Sequence, residues 1–212
     1  MKMHVWDDLK GHLEIPFRKY AYVKDSNGQH VSLYGDRLKR VTQYDKDDPT
    51  LHESDIPPMT RFLVDQYGDS DEASTGHRTM FFDIEVEVTE GFPDVQKAQN
   101  PITSIALYDC TTETYFTYCF DPHKRIEDYT KGDEVVEFYE TEYEMLNKFF
   151  QKYLEIRPTI LSGWNSEFFD IPYLYNRAVR VLGPELANLL SPISQVIYSE
   201  YKKKHTIAGV SS

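Results

Sequence analysis

From Thr79 to Val88 apolar and polar positions alternate: Met80, Phe82, Ile84, Val86 and Val88 fall on one side of an extended chain, and Phe81, Asp83, Glu85 and Glu87 on the other. A period of two marks a strand with one buried face. Two more such runs, residues 102–108 and 114–120, flank a polar turn at 109–113, so the pattern predicts a three-stranded meander. The period then changes. Leu146, Phe149, Phe150, Tyr153 and Leu154 recur at helical intervals, Thr141-x-x-Glu144 has capping-box spacing, and Pro158 stops the run. A short β-rich stretch at 159–162 ends at Gly163, and Ile171, Leu174, Ala178, Val181 and Leu182 form a second helical stripe over about 170–182, closed by Gly183-Pro184. From 191 onward a loop, a Lys-rich turn at Lys202 to Lys204 and a strand starting at Thr206 and unfinished at Ser212 are expected.

The first 75 residues read as a separate, small strand-rich module. Residues 19–34 alternate around Asp25-Ser26-Asn27-Gly28, where Asn-Gly supplies the positive φ of a tight hairpin turn. Pro57-Pro58 opens a short amphipathic stretch through Arg61, Phe62, Leu63 and Tyr67, and residues 68–76, rich in Asp, Ser and Gly, have linker chemistry. Two domains, 1–75 and 76–212, follow. In the second, the order β-β-β-α-β-α predicts an α/β domain of ribonuclease H-like arrangement, a mixed sheet flanked by helices.

Charge narrows the function classes. A formal net charge of −12 in 212 residues repels polyanions, so a general coat on nucleic acid is disfavoured and any contact is expected to be local and assisted by cations. The short basic runs Arg37 to Arg40 and Lys202 to Lys204 could touch phosphates, although such turns are more often solvated. Cys110 and Cys119, without a CxxC pair, give neither a disulfide framework nor a zinc site. The first ten residues are charged, and no run of about 18 apolar residues occurs, so no membrane partner and a cytoplasmic location are expected.

Asp83 and Glu85 leave the same face of their strand with Cα atoms roughly 6.5–7 Å apart. Among Phe81, Phe82 and Ile84, burial and mutual repulsion would favour protonation unless a cation held the two carboxylates ionised. All-oxygen ligation suits Mg²⁺ or Mn²⁺. The plain alternative, carboxylates that simply face solvent, is the commoner fate of a lone Asp-x-Glu. Asp170, after the Gly163-Trp164-Asn165 turn, can cap the second helix, or it can join Asp83 if strand 159–162 lies near strand 79–88. Asn165 has an amide that could hydrogen-bond a nucleotide; Trp164 is expected in the core; and of the aromatic group Phe168, Phe169, Tyr173 and Tyr175, only Phe169 is retained as a candidate to stack on substrate.

With these residues on the page, Phe82-Asp83-Ile84-Glu85-Val86 resembles the first exonuclease motif of family B DNA polymerases, and residues 163–173, Gly-Trp-Asn-Ser-Glu-Phe-Phe-Asp-Ile-Pro-Tyr, resemble the second. Gly91-Phe92-Pro93, Pro101-Ile102-Thr103-Ser104-Ile105 and Ser191-Pro192-Ile193 are similar to the T-even bacteriophage branch, and the first module looks like part of the polymerase N-terminal domain. The resemblance implies proofreading by two-metal hydrolysis of 3′-terminal nucleotides from single-stranded DNA. In it Asp83 bridges both Mg²⁺ or Mn²⁺ ions, Glu85 holds the nucleophile-side ion and Asp170 the second. A phage source implies the host-cell cytoplasm.

The family's third motif, Tyr-x3-Asp, is expected downstream of Ser212, and the palm carboxylates of the polymerase domain are also missing. Tyr44-x3-Asp48 and Tyr67-x3-Asp71 share the spacing but precede the first motif. A C-terminally incomplete exonuclease domain is therefore expected, weakly active or inactive alone, with the missing polymerase portion as a separate chain for a partner. Two rivals stand beside it: a non-catalytic nucleic-acid-binding or polymerase-subunit module, and another ribonuclease H-like nuclease acting on RNA or structured DNA.

Overall fold

A computed structural model describes residues 1–7, 10–73, 75–89, 91–197, 206–207 and 210–211. The chain divides into two compact units, Met1–Thr75 and Gly76–Ser212.

In the first unit β1 (Lys2–Asp7) and β2 (Gly11–Pro16) form an antiparallel hairpin. A four-stranded sheet follows, built from β3 (Ala21–Lys24), β4 (His30–Val31), β5 (Arg37–Val41) and β6 (Leu51–His52) in the order β4-β5-β3-β6. Helix α1 (Pro58–Tyr67) begins at the expected Pro pair and buries Arg61 and Phe62. The chain turns at Asp25–Gly28, with the Gly28 N–H on the Asp25 carbonyl at 2.8 Å, but neither Asn27 nor Gly28 takes the expected positive φ, and the strands on its two sides do not pair with each other. Both take β5 as partner, which offers a longer edge than the two-residue β4 can. The basic run is largely spent internally. The Arg40 guanidinium lies 3.5 Å above the Tyr20 ring, Arg37 donates to the Gly28 carbonyl, and Lys39 stands 4.0 Å from Asp25.

In the second unit β7 (Thr79–Val86), β8 (Ile102–Asp109) and β9 (Thr114–Phe120) form the predicted meander. Two strands that periodicity missed, β10 (Tyr129–Lys131) and β11 (Glu134–Tyr139), extend it beyond β9. Their sequence is too charged to alternate visibly; β11 is held by parallel pairing to β9, a contact between distant residues. Next come α2 (Glu142–Ile156), β12 (Ile160–Ser162), a π-helical turn Ser166–Asp170, α3 (Ile171–Val181) and α4 (Pro184–Ala187). The sheet order β10-β11-β9-β8-β7-β12, mixed in direction with helices packed on it, is the ribonuclease H-like arrangement. Short strands β13 (Thr206–Ile207) and β14 (Val210–Ser211) pair with each other, and Lys202 to Lys204 lie outside the described residues.

The alternation of β7 is realised from Met80 to Ile84, while Val86 is only half-buried and Val88, beyond the strand's end, is exposed. Met80, Phe82 and Ile84 are buried and join Ile105, Leu107 and Tyr118 of the neighbouring strands with Met145, Leu146, Phe149 and Phe150 of α2 and Tyr173, Leu174 and Ala178 of α3 in one core. Helix α2 starts where Thr141 Oγ1 accepts the Glu144 N–H at 3.2 Å and donates to the Glu144 carboxylate at 2.8 Å. It ends at Arg157, whose left-handed φ of 49° turns the chain into Pro158. Among the described residues no helix is long and apolar enough to cross a membrane.

Thr141→Ala should lower unfolding stability by about 1 kcal/mol, the usual cost of a lost N-cap, and Phe149→Ala by about 3–5 kcal/mol, the cost of an aromatic cavity. Urea unfolding followed by circular dichroism measures both, and near-equal losses would contradict the packing described.

Candidate nuclease site

β7 presents Phe81, Asp83 and Glu85 on the face opposite the helices, and all three are exposed. Of the two readings open for Asp83 and Glu85, the structure shows the solvent-facing one: Phe82 and Ile84 point into the core, and no described segment covers the other face at these positions. β12 runs parallel to β7 for only three residues, Ile160 opposite Thr79 through Ser162 opposite Phe81. At Gly163 the chain still presses against β7, where a Cβ would lie 2.4 Å from the Phe82 carbonyl oxygen, a contact that glycine alone tolerates. It then leaves through Trp164 and Asn165 into the π-helical turn, a rare form found frequently at functional sites.

That turn delivers Asp170 to the edge of β7 beyond the last β12 pair. Asp170 is 3% exposed, and its Oδ2 is buried without a hydrogen-bond partner. The plain alternative is excluded, because Asp170 makes no side-chain cap on α3. Burial pushes its carboxyl above the ordinary value of 3.8, and the charge of Asp83, with a smaller effect from Glu85, pushes the same way; the backbone N–H groups of Ile84 and of Asp170 itself pull against them. The structure thus brings Asp170 to Asp83 from a position 87 residues away in the chain. Phe82 and Ile84 lie on the same edge of the strand, so the Ile84 N–H faces the space into which Asp170 folds.

A cleft of about 550 Å³ opens beside Asp83, lined among others by Phe81, Tyr108, Tyr115, Gly163 and Trp164. Trp164 is not in the core: at 101% exposure its indole stands in solvent at the cleft wall. Tyr108 and Tyr115 meet at 4.4 Å between ring centroids, their planes tilted, across the β8–β9 pair. Asn165 is exposed, and its carbonyl accepts the N–H groups of Phe168 and Phe169. Phe169 is half-buried between Phe92, at 5.1 Å, and Tyr173, at 5.4 Å, so much of its surface is already engaged. Phe168 is exposed, whereas Tyr173 and Tyr175 donate their hydroxyls to Asn100 and Asn188. The alternation that put Asp83 outward also put Phe81 there, and the predicted hairpin about residues 109–113 already brought Tyr108 close to Tyr115, both signals available in the sequence.

The donor chemistry fits a hard divalent cation. Three carboxylates offer oxygen only, and the orphaned Asp170 oxygen is the buried acceptor such an ion would satisfy. Asp83, Glu85 and Asp170 would hold it. Among the described residues no three His, Cys, Asp or Glu side chains stand close enough together to hold a metal as placed, and holding one would require Asp83 and Glu85 to turn towards Asp170.

A sequence profile described as DNA polymerase family B, exonuclease domain, matches residues 65–210. The DNA-directed DNA polymerase of Escherichia phage RB69 is 34% identical over a match covering 54% of this chain and 15% of that polymerase. The corresponding protein of Enterobacteria phage T4 is 31% identical over 60% of this chain and 17% of the relative. The DNA polymerase delta catalytic subunit of Schizosaccharomyces pombe is 35% identical over 48% of this chain and 9% of the subunit. The chain therefore spans less than a fifth of the length of the curated relatives it matches.

Between 3.8 and its raised value, Asp170 keeps a proton in the folded state that the unfolded chain has lost, so stability falls as pH rises through this window and stays lower above it. Asp170→Asn should therefore raise the Tm of the metal-free protein at pH 7, by about 2–4 °C for each kcal/mol relieved. Below pH 3.8, where Asp170 is neutral in both states, the difference should vanish. Thermal unfolding in chelator across pH 3–8 measures it, and a mutant less stable at pH 7 would contradict the strain assigned to this carboxylate.

Proposed function

The chain belongs to the exonuclease-domain family of family B DNA polymerases, and from that premise we propose that its second unit hydrolyses the 3′-terminal phosphodiester of single-stranded DNA, as a proofreading nuclease does. The observation that carries the reading is the Asp170 oxygen, buried without a partner and held near Asp83 at the edge of β7. A folded protein has little reason to keep such an atom unless a ligand completes it.

Asp83, Glu85 and Asp170 would hold Mg²⁺ or Mn²⁺. When bound, the ions supply Lewis-acid polarisation of the phosphate and neutralise charge that develops on the attacking and leaving oxygens. The residues themselves do the placing. Asp83 and Glu85, in register on one strand face, set the line along which the phosphate can approach. The exposed Trp164 and Phe81 offer flat apolar walls to an unpaired base, and stacking of this kind is indifferent to base identity. Asn165 stands at the same turn, where its amide can donate to a phosphate oxygen or accept from a base edge. Phe169, wedged between Phe92 and Tyr173, shapes the wall near Asp170. A single-stranded 3′ end is the substrate this open, acidic site favours, because the net charge of −12 opposes any broader DNA contact. The proposal places the protein in the cytoplasm, with the first unit as part of a polymerase N-terminal domain and the rest of a polymerase as its partner.

A second reading is favoured by one observation: no three metal-ligating side chains are gathered among the described residues. In that reading the chain binds single-stranded DNA or a polymerase subunit and does not cut.

With Mn²⁺, the purified chain should shorten a 5′-labelled single-stranded oligonucleotide in one-nucleotide steps, faster than it shortens duplex DNA or RNA, and Asp83→Ala should abolish the ladder. Equal degradation by wild type and mutant would assign the activity to a contaminant. Binding without a ladder would decide for the second reading, and preferred cleavage of RNA would identify a different nuclease.

A further inference from the structure

One face of α3 continues from the site carboxylate. Asp170, Tyr173, Arg177 and Arg180 recur at intervals of three and four residues, so they share one side of the helix. That side grips the connection between β7 and β8. The Tyr173 hydroxyl donates to the Asn100 carbonyl at 2.8 Å, Asn176 to Val95 at 2.9 Å and Arg180 to Lys97 at 3.0 Å. Arg177 Nη1 donates to the carbonyls of Ala98, at 3.1 Å, and Gln99, at 2.6 Å. Five carbonyls of residues 95–100 are thus captured by one helix.

Arg177 is also the member of this row that is itself fixed. Its Nε and Nη2 donate to the two oxygens of Glu142 at 2.9 and 2.6 Å, a fork on a carboxylate in the buried start of α2. Glu142 Oε1 in turn accepts the Ile102 N–H at 2.8 Å, where β8 begins. Ala98, wholly buried and left-handed at φ 40°, is a conformation that an alanine keeps only when its surroundings impose it, and the Arg177 bond to its carbonyl is one such constraint. The connection returns this order to β7, because the Glu87 N–H donates to Pro101, and Asn100 to the Glu87 carbonyl, two residues after Glu85.

These contacts form a frame: Asp83 and Glu85 lie at one end of the connection, and Asp170 stands at the start of the helix that grips it. We propose that Arg177, locked by Glu142, is a positioning residue that sets the placement of Asp170 relative to Asp83 and Glu85. The inference rests on the nuclease reading above. Arginine is required by the geometry, since a lysine cannot span both Glu142 oxygens and two carbonyls at once.

Mn²⁺ binding to the full chain, read from the electron paramagnetic resonance of the free ion, tests both levels separately. Wild type should bind, and Asp170→Asn should bind weakly. Arg177→Met should lower Mn²⁺ affinity about 10–100-fold, the usual effect of removing a residue that orients ligands, while reaching the wild-type number of ions at saturation, which a misfolded protein would not do. Arg177→Lys should fall between. A folded Arg177→Met protein with wild-type affinity overturns the proposal. Where Arg177→Met does not fold, Arg177→Lys decides, and wild-type affinity there overturns it equally. No binding by wild type, or unchanged binding by Asp170→Asn, overturns the nuclease reading and takes the proposal with it.

Discussion

The second unit is organised around one costly placement: a carboxylate buried at the edge of a strand, near a second carboxylate, with one oxygen unpaired. An unsatisfied buried acceptor costs about 1–3 kcal/mol, more when charged. Several features act together to hold it there. β12 is short enough to leave the end of β7 open, Gly163 lets the chain hug β7 before turning, the π-helical turn aims Asp170 back at the strand, and α3 is tied down by side chains that grip the loop beyond Glu85.

Electrostatics divides the site into a rigid and an adaptable part. Asp170 is enclosed and its neighbours disfavour its charge, whereas Asp83 and Glu85 face solvent. In the proposed function a cation changes the sign of the local field, turning mutual repulsion of carboxylates into joint ligation and permitting a phosphate to approach a protein of net charge −12. The aromatic cleft beside Asp83 supplies contact that charge cannot, since stacking does not depend on the phosphates.

In the first unit several cations are engaged within the chain. Arg37, Arg40 and Arg61 are engaged with a backbone carbonyl, the Tyr20 ring and Glu53, and the Tyr20 hydroxyl, bonded to Asp65 and partly buried, is pushed up to about 12. Of the three arginines, Arg61 is buried whereas Arg37 and Arg40 are exposed, in a module with few large buried side chains.

Short-range order was legible in the residues. The alternation of β7, the capping pair Thr141 and Glu144, and the stripes of α2 and α3 are local patterns, and each produced the element it encodes because period and propensity act within a few residues. The outward face of Asp83 and Glu85 followed from the same alternation. The tertiary structure decided what depends on partners far away in sequence: that Asp25–Gly28 joins two strands that both pair with β5, that β11 lies parallel to β9, that Trp164 stands in solvent, and that Asp83 and Glu85 are open while Asp170 is buried. Burial is a property of what the other segments cover, and the approach of Asp170 to Asp83 required β12 to choose β7 as its neighbour, a choice made by sheet pairing and core packing that no window of sequence contains.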